Sequence, residues 1–147
     1  MDSQIVAVYC LCDDLLKALY HHEDRQCQMS DAEVMTLAII AMLYFRGNFE
    51  TARRFLHDHG YIPKALSKSR LNRRLHRISE LFLNLFSTLG ETWKTLNQSS
   101  IYIIDSFPIA ACDNYRICRS KRYRGEVWRG CQSSKKRFFY GLKLHLM

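Results

Sequence analysis

Residues 99–108 read Ser99-Ser100-Ile101-Tyr102-Ile103-Ile104-Asp105-Ser106-Phe107-Pro108, and the fold turns on them. A continuous β-branched and aromatic run has the form of a central strand covered on both faces. This run leads straight into Asp105, and Pro108 should limit how far ladder pairing continues. Upstream the apolar patterns are helical. Downstream, Phe138 to Met147 alternates, with Leu142, Leu144 and Leu146 on one face and Gly141, Lys143 and His145 on the other. The expected class is α+β, an all-helical bundle over 1–98 followed by strands over 99–147.

Working back from Ser99, Leu71, Leu75, Ile78, Phe82, Leu85 and Leu89 form one stripe of a long helix expected from about Ser69 to Leu96. Arg70, Arg73, Arg74 and Arg77 follow i, i+3, i+4, i+7 and share a second, basic face. A short amphipathic helix is expected from Phe49 to about His59, with Ala52, Phe55 and Leu56 inward and Gly60 closing it. Ser30-Asp31-Ala32-Glu33 has the form of a capping box. The helix it starts, to about Phe45, is apolar almost all round and should lie at the centre of the bundle. A first helix is expected over 4–22, with the polar stretch His21 to Gln28 after it.

The chain has 147 residues and a net charge of +8. Residues 1–60 carry −4 and residues 61–147 carry +12, so the basic character belongs to the later part. Apolar residues make up 48% and Pro and Gly are few, which argues against a disordered chain. The longest apolar run, Leu37 to Phe45, is far short of the roughly 20 residues of a membrane span. Residues 2–14 hold acids and no Lys or Arg, unlike a signal peptide, so a cytosolic protein with reduced thiols is expected. The cysteines at 10, 12, 27, 112, 118 and 131 include no Cys-x-x-Cys pair, and buried core thiols are expected rather than zinc.

Asp105 is the sharpest candidate position. A lone carboxylate at the end of a covered strand needs a partner or a metal, and strand-end carboxylates suit Mg²⁺. The alternative is an Asp that caps the turn at Ser106-Phe107-Pro108. Asp113-Asn114 reads first as a turn. Arg116, Arg119, Lys121, Arg122, Arg124, Arg129, Lys135, Lys136 and Arg137 lie within 22 residues, interleaved with Tyr123 and Trp128. That density suits phosphate neutralisation and base stacking, with a solvated basic loop as the alternative. Lys143 and His145 share a strand face beside Gly141, where a backbone or a ligand can approach closely. His21-His22 and His57-x-His59 read as surface residues. A helix-turn-helix within 49–96 is a weak signal, because its linker is longer than usual.

Ile103-Ile104-Asp105-Ser106-Phe107-Pro108-Ile109, the basic loop and Ser134-Lys135-Lys136-Arg137-Phe138-Phe139-Tyr140-Gly141-Leu142-Lys143-Leu144-His145 together resemble a bacterial insertion-sequence transposase of the DDE type. The resemblance implies a helical DNA-binding region followed by the first strands of an RNase H-like α/β core. It makes Asp105 the first catalytic carboxylate and a ligand of Mg²⁺. It assigns Gly141, Lys143 and His145 to a second-strand motif that supports the site or contacts the DNA backbone. The implied activity is Mg-dependent DNA cleavage and strand transfer at insertion-sequence ends, by a cytoplasmic, nucleoid-associated protein that is a homo-oligomer. DNA contacts are expected from Arg70, Arg73, Arg74 and Arg77, and from Arg122, Arg124, Lys135, Lys136, Arg137, Lys143 and His145. The family's second Asp and its Glu have no counterpart here, so a truncated core with weak metal binding is expected. A non-catalytic DNA-binding module that regulates the element is the alternative, and a remnant that folds only in part is another.

Overall fold

Ser30 sets the start of the central helix. In the computed structural model its side chain accepts from the Glu33 amide (3.1 Å), while the Ser30 amide donates to Glu33 Oε2 (2.7 Å). Both halves of the expected capping box are present, satisfying two amides that a helix start leaves unpaired. The structure describes all residues except Arg25, Ser100, Ser120, Arg124 and Met147, and the side chains of residues 113–116, 134 and 146 also lie outside the description. The chain divides into two compact units, Met1–Leu96 and Asn97–Met147.

The first unit contains α1 (Asp2–Ala18), α2 (Asp31–Phe45), α3 (Phe49–Asp58), α4 (Lys68–Arg77) and α5 (Ser79–Leu96). Helix α2 is its core, with Val34, Met35, Leu37, Ile40 and Ala41 at 0% exposure. Around it pack Ile5, Cys12, Leu15 and Leu16 of α1, Leu56 of α3, Leu71 of α4 and Leu85 of α5. Burial of each large aliphatic side chain is worth about 1.5–3 kcal/mol. The turn after α2 passes through the left-handed region at Arg46 (φ 52°) and Gly47 (φ 80°), where glycine carries no steric cost. Helix α1 ends at Ala18, earlier than its apolar pattern suggested, and Tyr20 (φ 50°) turns the chain away.

The single long helix expected over 69–96 is two helices. Helix α4 stops at Arg77, and Ile78 adopts φ −95°, ψ 16° before α5 begins. A straight helix of that length would span about 40 Å, more than the diameter of a small domain. Across the break, Leu71, Ile78 and Leu85 stay in one core, each at most 3% exposed. The apolar stripe is therefore real, although the straight rod is not.

The second unit contains a three-stranded antiparallel sheet, β1 (Asp105–Asp113), β2 (Arg129–Gln132) and β3 (Arg137–Leu146), in the order β1-β3-β2. Short 3-10 turns at Asn114–Arg119, Glu126–Trp128 and Ser133–Lys135 connect the strands. Three expectations are corrected here. Ile101 to Ile104 form no strand and are 44–85% exposed, because β3 pairs from Leu146 opposite Asp105 and offers them no described partner. Asp105 therefore opens a strand instead of ending one. Pairing also runs through Pro108, opposite Lys143, to Asp113, since β1 is an edge strand and tolerates a residue without an amide proton. The sheet also holds a third strand, β2, in what read as a basic loop.

Gly141 explains how β1 and β3 fit. The register slips between Ala110 and Cys112, and a Cβ on Gly141 would stand 2.1 Å from the Ile109 carbonyl oxygen and 2.9 Å from the Ala111 nitrogen. The close approach expected at this glycine is thus the bulge of β1. Phe139 and Tyr140 are buried, Phe139 lying over Gly130. The alternating leucines of β3 do not face a core: Leu142 and Leu144 are each 45% exposed, opposite exposed Ile109 and Phe107. Leu146 and Met147 fall on residues whose side chains are outside the description. Overall the architecture is α+β.

Candidate nucleic-acid interface

On α4 the four arginines separate into two roles. Arg70, Arg73 and Arg77 are exposed, whereas the Arg74 side chain is only 14% exposed. Its guanidinium donates to Asp31 Oδ1, to the Met29 carbonyl (3.2 Å) and to Cys27 Sγ (3.0 Å). Burial opposes its charge, but the Asp31 hydrogen bond and charge outweigh it and raise the pKa. Arg74 is therefore not the open DNA contact expected from the face it shares with Arg70, Arg73 and Arg77. It ties α4 to the start of α2.

Asp31 is also bound from its other side. His21 Nε2 lies 2.9 Å from Asp31 Oδ2, and the Asp31 amide donates to Glu23 Oε1 (2.6 Å). His21, expected at the surface without a role, belongs to this half-buried network. Among the described residues, His21, Glu23 and Asp31 are the one group whose ligating atoms lie close enough to share a metal ion. The Arg74 cation already occupies its carboxylate, so the group reads as a structural network.

Gln26, Cys27, Gln28 and Leu66, with the four arginines of α4, line a cleft of about 390 Å³. None of Arg70, Arg73 and Arg77 has an ion-pair partner among the described residues. The loop residues 26–28 were missed in the sequence, where only their polarity was legible.

In the second unit Asp105 is exposed, and its Oδ1 accepts the neighbouring Ser106 amide at 2.7 Å. Strand alternation sets Asp105, Phe107 and Ile109 on one face and Ser106, Pro108 and Ala110 on the other. Ser106 pairs with His145 and Pro108 with Lys143. Asp105 and the Lys143–His145 pair thus lie on opposite faces of the sheet, and the structure does not bring them together. Asp105 belongs to no group of potential metal ligands among the described residues.

Lys135, Lys136, Arg137, Lys143 and His145 are exposed, as is Arg122, and both Arg122 and Arg137 make interactions within the protein. Lys136 sits at φ 46° at the turn into β3. Arg124 lies outside the described residues. Tyr123 and Trp128 meet edge to face (5.2 Å), and Arg129 stacks over the Phe138 ring (4.6 Å). The aromatics expected to meet bases are thus partly engaged with one another.

The thiols divide by environment. Cys12 is fully buried, and burial pushes its pKa up to about 11. Cys27 and Cys112 are half-buried, whereas Cys10, Cys118 and Cys131 are exposed, so the expected set of core thiols reduces to Cys12.

Residues 94–147 match the family model described as "Transposase DDE domain". This segment is similar to that domain. The match covers a little over a third of the chain and includes Asp105 and all three strands. Comparison with curated proteins and with solved structures found no match. A transposase DDE domain implies transposition and the use of a divalent metal. Asp105 alone does not fit a metal centre, because a two-ion site needs several bridging carboxylates. Among the described residues, no single helix is long and apolar enough to cross a membrane.

Proposed function

We propose that the chain engages DNA in the transposition of an insertion sequence, gripping the ends of the element through basic surfaces on both units. The observation that carries this reading is the DDE match over residues 94–147, and the three exposed arginines of α4 support it. We assign Arg70, Arg73 and Arg77 to DNA on the helical unit. In the DDE segment we assign Arg122, Lys135, Lys136, Arg137, Lys143 and His145, with Arg124 assigned from sequence alone. Each cation that neutralises a phosphate releases a counterion, which makes binding steeply salt-dependent. We assign this work to the nucleoid of a bacterial cytoplasm.

Strand cleavage and transfer is the reaction of the family. Magnesium, a hard cation with oxygen ligands, is the ion we assign to a complete site, to which Asp105 would contribute one carboxylate. No metal-dependent step is assigned to Asp105 by itself. Its solitary, exposed position favours a second reading, in which residues 1–147 act as a DNA-binding module without catalysis.

The test uses the full chain, a labelled duplex and Mg²⁺. Wild type and Asp105→Ala should shift the duplex equally. Nicking by wild type that Asp105→Ala abolishes selects the catalytic reading, and equal shifts without nicking select the module. Failure of both proteins to shift any duplex at low salt overturns the proposal.

A further inference from the structure

We infer that the cleft between residues 26–28 and α4 receives successive phosphates of one DNA strand, held by Arg70, Arg73 and Arg77, with Arg74 as a positioning residue. The inference rests on the DNA-binding reading above and says where and how that contact is made. Three exposed guanidinia without ion-pair partners among the described residues border one concave surface. Such an arrangement focuses the field and raises the local concentration of anions. Arg70 to Arg77 is seven residue steps, about 10 Å of helix. One DNA strand carries a phosphate roughly every 3.4 Å along the duplex axis, so the row spans about three phosphate steps.

The fourth arginine gives the row its orientation. Arg74 lies between Arg73 and Arg77 in sequence but turns inward to Asp31, Met29 and Cys27. That anchor fixes the rotation of α4 about its axis, and so fixes the side on which Arg70, Arg73 and Arg77 emerge. Planar guanidinia suit bidentate phosphate contacts. Because these arginines border a recess instead of projecting from a ridge, the contact is to backbone phosphates and carries no base sequence.

Cys27 supplies an internal reporter, since its half-buried thiol lines the same cleft. With the full chain held at saturating duplex DNA, alkylation of Cys27, followed by peptide mass spectrometry, should slow at least several-fold. Alkylation of Cys10, exposed on α1, should not change. In parallel, the Arg70→Gln/Arg73→Gln/Arg77→Gln variant should reduce the log–log salt slope of binding by about 2 to 3, at roughly 0.9 per phosphate contact. Its affinity should fall by the same factor for unrelated DNA sequences. Unchanged Cys27 alkylation on demonstrably bound DNA, or an unchanged salt slope in the folded variant, overturns the cleft while DNA binding stands. Loss of affinity for one sequence alone overturns the backbone assignment. Wild-type protein that binds no DNA overturns both the cleft and the broader reading.

Discussion

Arg74 shows how one side chain can change role between sequence and structure. Its spacing places it with Arg70, Arg73 and Arg77, and the 43 residues that separate it from Asp31 hide their pairing. Only the tertiary fold brings the start of α2 against α4. With Asp31 about 10% exposed, deleting the guanidinium leaves a poorly solvated carboxylate supported by His21. Removal of one partner from a buried pair costs about 3–5 kcal/mol. Urea melts of Arg74→Met should show a loss of that order in the helical unit, and a loss below about 1 kcal/mol would show that the pair is solvated and dispensable. Gly141 is the opposite case. A close backbone approach was legible from the glycine itself, although the approaching partner, the bulge of β1, was not.

Among the elements, local signals were readable and distant ones were not. The capping box at Ser30 and the inward residues Ala52 and Leu56 of α3 depend on neighbours within a turn or two, and the structure contains them as read. The break at Ile78 has no Gly or Pro to mark it. Ile101 to Ile104 have high β propensity, but a strand also needs a partner in register, and β3 pairs only from Asp105 onward. Strand β2 is four residues long and lies within a run of charge, so neither alternation nor apolarity marked it.

Helix α3 also carries a pH prediction. The hydrogen bond from Arg53, joined by Arg54 and opposed by desolvation, holds the Glu50 carboxyl down at about 2, against an ordinary 4.5. A depressed carboxylate contributes its full stabilisation above the unfolded value and loses it as pH falls through the folded one. The difference in melting temperature between wild type and Glu50→Gln should therefore be constant from pH 8 to pH 5. It should shrink below about 4.5 and vanish near 2. Because the pair lies partly exposed on the helix surface the difference will be small, and a difference that grows on acidification would contradict the assignment.

For the whole molecule, the uneven charge noted in the sequence acquires a location. The acidic excess of residues 1–60 belongs to α1, α2 and their connections, which build the core. The basic excess of residues 61–147 falls on α4, in the first unit, and on the DDE segment, in the second. The proposed role of these surfaces is to bind nucleic acid through its phosphates. It is tested most directly by the dissociation constant of the full chain for duplex DNA across a salt titration. The expected result is a linear log–log plot with a slope of about −3 or steeper, the cleft arginines alone accounting for most of that minimum. A slope shallower than about −1, or no binding at about 50 mM salt, would contradict it.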